Sequence, residues 1–199
     1  MQVSAAAART GEVTRLLRAA REGEPGAIDR IVPIVYDDLR RLAQRQLARA
    51  FGPHSVRPTE LVHEAYIKLS LGGGEKANDR VHFLAIAARA MRQVLIDQVR
   101  NRKAVKRGRG WTRATLSGHH WVTDVDVDEL LTLNDALDQL DPRQRQVVEC
   151  RFFAGLEDRE IAQALDVTER TVRRDWVKAR AWLYRALAER GSTIVLPDV

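Results

Sequence analysis

The stretch VHFLAIAARAMRQVLIDQVRNR, residues 81 to 102, is apolar around most of a helix's circumference as far as Gln98. A helix at a protein surface buries one stripe, whereas one that is apolar nearly all round has to be enclosed. The chain must therefore place other helices on several sides of this segment, which starts near Asp79. Three can be read upstream. Apolar residues recur at helical spacing in EVTRLLRAAREG, from Glu12, and in AIDRIVPIVYDDLRRLAQRQLARAF, with GEPG between them. After a break at GPHSVRP, residues Leu61, Val62, Ala65, Tyr66 and Leu69 form the stripe of a third helix that closes at LGGG. With 6% aromatic residues and no extended alternating β-branched run, the expected fold is all-α.

A second helical unit follows a change of charge. RNRKAVKRGRGWTR, from Arg100 to Arg113, holds seven basic residues and no acidic one, and the sign then reverses in DVDVDE at 124–129. This divides the chain into two small helical domains, at 10–104 and 129–190, joined by a flexible linker at 105–128. The second domain opens with a helix to Leu140. It restarts at Asp141, a cap, and Pro142, a first helical residue, and runs to about Ala154. Tyr36, Tyr66, Phe152, Phe153 and Trp182 occupy helical apolar positions and are expected in the core.

The last two helices lie in EDREIAQALDVTERTVRRDWVKARAWL, residues 157 to 183. Ile161 and Leu165 point inward, and the small Ala162 stands where a second helix must approach closely. After a short turn Thr168 is placed to cap the next helix through its side-chain oxygen. Val172, Trp176, Ala179 and Leu183 make the inner stripe of that helix, and Glu169, Arg170, Arg173, Arg174 and Lys178 are left outside. A helix of this kind can enter the DNA major groove, where Arg bonds guanine and Glu accepts from cytosine. The candidate DNA-reading set is Thr168, Glu169, Arg170, Thr171, Arg173, Arg174 and Lys178. An excess of 33 Lys plus Arg over 27 Asp plus Glu, with a net charge of +6, suits a polyanionic partner.

Other chemistries find little support. The single cysteine, Cys150, excludes an internal disulfide and a cysteine-built zinc site, and suits a reducing compartment. No apolar run approaches the roughly 18 residues of a membrane span, and MQVSAAAART has no signal-peptide pattern, so a cytoplasmic protein with no membrane association is expected. HEAYI at 63–67 begins like a zinc-protease motif but has Ile67 at the second histidine position. His119 and His120, near Asp124 and Asp126, read as solvated linker residues. With no nucleophile–base pair, phosphate-cradling glycine loop or paired catalytic carboxylates, the expectation is a protein without metal, cofactor or enzymatic activity.

The segment LDQLDPRQRQVVECRFFAGLEDREIAQALDVTERTVRRDWVKARAWLYRAL resembles the promoter minus-35-reading domain of bacterial sigma-70 family factors, through Arg145, Glu160, Ile161, Ala162, Thr171 and Val172. LVHEAYIKL is similar to that family's polymerase-binding helix. FLAIAARAMRQVLIDQVRNRK is similar to its minus-10 melting helix, through Phe83, Asp97 and Arg100. Only these two domains are matched, over about residues 12 to 190, the layout of the extracytoplasmic-function (ECF) group. The resemblance implies a sigma factor whose first domain binds core RNA polymerase at the β′ clamp helices and melts the minus-10 element, and whose second domain binds the β flap. The linker would thread toward the RNA exit channel. Glu60, Leu61, His63, Glu64 and Ile67 are the implied polymerase contacts. Gln93, Arg100, Arg102, Lys103, Lys106 and Arg107 are the implied minus-10 contacts. Gln93 stands where the family has Asn, and Ile86 where it often has Trp.

Before the core-binding helix the family usually carries acidic residues in a pattern like DAED, whereas this chain reads RPTE at 57–60. Two readings of Thr59 follow: a phosphorylation site that restores the missing charge through a Ser/Thr kinase, or merely the N-cap of the helix. Asp97 and Arg100 likewise form an ion pair across a turn, or Arg100 touches DNA backbone. GSTIVLPDV ends the sequence as a short tail, so an anti-sigma partner has no domain to suggest it. The chief alternative to a sigma factor is a stand-alone helix-turn-helix regulator with a helical dimerisation or sensing domain. An RNA-binding or nucleolytic protein is the second alternative, opposed by the lack of a stacking surface and of an acidic metal cluster.

Overall fold

The computed structural model describes residues 2–51, 57–71, 74–106 and 127–192, and every regular element among them is helical. The first half contains α1 (Gln2–Arg21), α2 (Ala27–Phe51), α3 (Pro58–Ser70), a 3-10 turn (Gly74–Lys76) and α4 (Arg80–Lys106). The second half contains α5 (Val127–Leu137), α6 (Pro142–Val148), a π-helical turn (Glu149–Ala154), α7 (Asp158–Ala164) and α8 (Glu169–Ala188). Most of the expected linker lies outside the described residues, as do His119, His120, Asp124 and Asp126.

Local signals set the helix ends. The Asp79 carboxylate accepts from the His82 N–H at 2.8 Å and starts α4. Asp141 accepts from the N–H groups of Arg143 and Gln144 at 3.0 and 3.4 Å, with Pro142 beside it at a position that has no N–H to satisfy. The π-helical turn closes on Gly155, whose φ of +67° is left-handed backbone.

Helix α4 receives the enclosure its composition demands, from a wider set of neighbours than α1–α3. Helices α2 and α3 pack on one part of its surface, while α5, the π-helical turn and α7 pack on another. The two halves consequently share one apolar cluster that runs from Val13 and Leu17 through Phe83, Met91 and Ile96 to Phe153, Trp176 and Leu187. Phe152 and Phe153 are buried there edge-on, with ring centroids 5.0 Å apart. Trp182 and Tyr66 are half-buried, and the Tyr66 hydroxyl donates to Asp29 at 2.7 Å. Tyr36 is exposed, contrary to expectation: it lies one step round α2 from Val35, at the margin of the Ile31–Val35–Leu39–Leu42 stripe.

A second strut joins the halves at the end of the π-helical turn. Arg45 of α2 donates from Nη2 to the Ala154 carbonyl at 2.9 Å. Its guanidinium lies directly over Gly155, so that a Cβ there would come within 2.5 Å of Nη1. Glycine at 155 thus serves both the backbone turn and the close approach. Gly155→Ala should destabilise the protein by about 1–3 kcal/mol through backbone strain and displacement of Arg45, read as a lower urea midpoint.

Candidate nucleic-acid interface

Helices α7 and α8 meet through Leu165–Thr168, a turn with one left-handed residue, Asp166 at φ 52°. Asp is among the few side chains that accept this conformation, and the turn closes when the Val167 N–H reaches the Ala162 carbonyl at 2.9 Å. Thr168 then caps α8, its hydroxyl oxygen accepting from the Thr171 N–H at 3.2 Å. Val172, Trp176, Ala179 and Leu183 are fully buried beneath, and Leu165 is half-buried.

The opposite face of α8 is cationic and solvent-facing. Arg170, Arg173, Arg174 and Lys178 are exposed with Glu169 among them, and Thr171 is half-buried. Arg173 is held by Asp158 at 3.2 Å and by Glu169 at 2.9 Å, one turn away. Arg174 lies 3.4 Å from Asp175. Arg170 and Lys178 make no ion pair among the described residues. Those two carry charge that no carboxylate among the described residues meets, whereas Arg173 and Arg174 are each paired with at least one.

Two buried contacts fix the direction of this face. The Arg151 guanidinium stacks 4.8 Å from the Trp176 ring centroid and pairs with Asp158. Asp175, the one acidic residue on the buried side of α8, accepts from Arg143 of α6 at 2.5 Å. Burial disfavours the Asp175 carboxylate, but the Arg143 hydrogen bond and charge, with Arg174 in support, outweigh it and hold the carboxyl below its usual range.

In the first half, α3 begins at Pro58 with Arg57 as its N-cap, and no side chain makes a cap bond there. Thr59 is exposed within the first turn and is not the cap. Of the implied polymerase contacts, His63 is exposed and Glu60, Glu64 and Ile67 are half-buried on the outer face of α3. Leu61 is different: at 0% exposure it belongs to the core and has no surface to offer a partner. On α4 the Gln93 amide donates to Asp97 at 3.0 Å, and Asp97 also holds Lys68 of α3 at 2.7 Å. With Asp97 so engaged, Arg100 pairs not across the turn but with Asp135 of α5, at 3.8 Å. The side chains of Arg102, Lys103 and Lys106, and all of Arg107, fall outside the described residues.

The sequence from residue 10 to residue 189 matches the family described as ECF sigma factor. The chain belongs to the ECF sigma factor family. No curated protein matches it closely enough to add a relative. As a sigma factor it is a transcription factor that binds DNA and RNA polymerase and directs transcription initiation. None of its helices, among the described residues, is long and apolar enough to cross a membrane. Nor does any group of three or more potential metal ligands occur among them.

Sequence reasoning missed the polar residues that this sigma factor buries. Arg92 is 1% exposed, although it carries a charge inside the most apolar helix. Glu149 and Asn134, from the second half, are buried with it. A signal existed: Arg92 lies four residues from both Ala88 and Ile96, on the stripe that must face inward.

The Asp175–Arg143 pair sets a pH dependence. Because the folded-state carboxyl is lowered, its stabilisation is complete above the usual carboxylate value and drains away as the pH falls through the lowered one. Asp175→Asn should therefore lower the urea midpoint at pH 7. The gap to the wild type should narrow as the pH is taken below roughly 4.

Proposed function

We propose that this sigma factor reads the minus-35 element through α8, with Arg170 and Lys178 leading, and meets core polymerase through the outer face of α3. The observation that carries the reading is the division of α8. Its buried stripe and capped N-terminus fix the helix, and its exposed face, from Glu169 to Lys178, is basic and open. In this reading residues 10–104 bind the β′ clamp helices by His63, Glu60, Glu64 and Ile67, and engage the minus-10 element by Gln93 and Arg100. Arg102, Lys103, Lys106 and Arg107 add phosphate contacts, residues 129–190 also bind the β flap, and residues 105–128 link the two.

Thr59 is the second part of the proposal. An exposed hydroxyl in the first turn of α3, beside an arginine N-cap with no capping side chain, is well placed to become a phosphate. About −1.5 to −2 charges would be added at the positive end of the helix, in a segment that carries Arg57 where the family has acidic residues. A Ser/Thr kinase would then gate polymerase binding. An anti-sigma factor, a partner the family often has, would be an additional control.

Run-off transcription with core polymerase on a pool of genomic promoters tests both parts. Specific transcripts from Thr59→Glu, with at least tenfold fewer from the unphosphorylated wild type, are the expected result; equal output from the two would end the phosphate gate. Arg170→Ala should weaken minus-35 binding by about 1–3 kcal/mol and relax preference at one base pair. Lys178→Ala should weaken binding across all sequences and reduce the salt slope by about one.

A further inference from the structure

Two carboxylates stand beside the basic face of α8 and grip a single arginine from two helices. Asp158, in the first turn of α7, places Oδ2 3.2 Å from Nε of Arg173, and Glu169, in the first turn of α8, accepts from its Nη2 at 2.9 Å. The other oxygen of Asp158 pairs with Arg151, whose guanidinium stacks on the buried Trp176 ring. A chain of contacts thus runs from the core outward, from Trp176 through Arg151 and Asp158 to Arg173. Its exposure rises along the way, with the Asp158 side chain at 21% and that of Arg173 at 58%, so the carboxylate sits beneath the arginine and steadies it. Arg174, by contrast, reaches only its sequence neighbour Asp175, at 3.4 Å. Arg170 and Lys178 make no ion pair among the described residues.

The donors left over decide what such a grip is good for. A guanidinium has five N–H groups, and the two carboxylates engage Nε and Nη2, along one edge. Both N–H groups of Nη1 and one of Nη2 remain, the fork from which guanine O6 and N7 can accept together. An arginine whose plane is fixed beforehand loses less freedom on meeting that base, and fits a different base edge poorly. Toward phosphate the same two carboxylates work the other way. They repel the backbone and offset the charge of Arg173, so they weaken general attraction to DNA. Their presence beside a basic face is accounted for by orientation and not by affinity.

We propose that Asp158 is a positioning residue for promoter discrimination, holding the Arg173 guanidinium so that its open fork reads one guanine of the minus-35 element. Asp158 touches no base itself and acts through Arg173. Arg151, stacked on Trp176, gives the carboxylate a fixed seat, and Glu169 holds the second nitrogen from the recognition helix. The base preference at that position therefore depends on a residue of α7, outside the helix that reads. The inference deepens the proposed reading of the minus-35 element by α8 and rests on it.

The test uses the full chain with core polymerase, on the background that transcribes more, wild type or Thr59→Glu. The template is the promoter giving most transcript from a genomic pool, remade with every single base change across its minus-35 element and read by run-off transcription. At one G·C pair the reference chain should discriminate by about tenfold. Asp158→Asn should lower that preference by about threefold or more, leave the other positions as they were, and bind a mixed-sequence duplex no more weakly. Arg173→Ala should erase the preference at the same pair, and adding Asp158→Asn to it should change nothing further. A uniform loss across all positions, or one that adds to the loss in Arg173→Ala, would overturn the proposal, because a merely structural role acts on every position alike. Should Asp158→Asn fail to fold by circular dichroism, Asp158→Glu decides. It keeps the charge beside Arg151 but carries the carboxylate one methylene further, so a lower preference at that pair alone supports positioning and an unchanged one refutes it. A reference chain indifferent to every change in the element would overturn the reading by α8 and this inference with it. Preferences that are present but unmoved in Asp158→Asn would overturn this inference alone.

Discussion

Enclosure of α4 is the requirement from which the rest of the structure follows. A helix of this length with apolar residues on most sides cannot be solvated, and three preceding helices cover only part of it. The remainder is closed by α5, the π-helical turn and α7, which brings the second half of the molecule against the first. Burial of Arg92 is the local price of that closure, since its position on the inward stripe admits no water. Asn134 and Glu149 meet its two terminal nitrogens and the Phe153 ring lies against its face, while its Nε is buried without a hydrogen-bond partner. The second half is thus part of the first half's core.

Much of this was legible from local patterns. Helices α2, α3 and α8, the Asp141–Pro142 restart and the Thr168 cap depend on residues within a few positions of each other, and periodicity or capping chemistry reports them directly. What escaped was non-local. Nothing near Arg92 in the sequence names Glu149 as its partner 57 residues away. Nothing near Asp97 says that Lys68 will take its carboxylate and release Arg100 toward α5. Leu61 shows a different limit: it fits both the stripe of α3 and a family contact motif, and only burial decides between them. Tyr36, one step off its stripe, shows how little angular error separates core from surface on a helix.

The two basic regions differ in readiness. Along α8 the buried side is anchored by Arg143 on Asp175 and by Arg151 on Trp176, so the outward face is held rigidly before any ligand arrives. Such preorganisation lowers the entropy lost on binding. On α4 the corresponding groups are engaged by carboxylates of the same chain. The α8 face is open and the α4 arginines are paired, a division that follows from where the sequence puts Asp135 and Glu149 relative to their arginines.

The π-helical turn makes the seam between the halves an indexed joint. Its wider hydrogen-bond ring holds one residue more than an α-helical path would need, and that extra residue sets the angle at which Glu149, Phe152 and Phe153 leave the backbone. Regularising the turn would rotate whatever follows by about 100°, the twist of one residue. A single residue gained or lost between Glu149 and Gly155 would therefore change which side chains the seam turns toward α4.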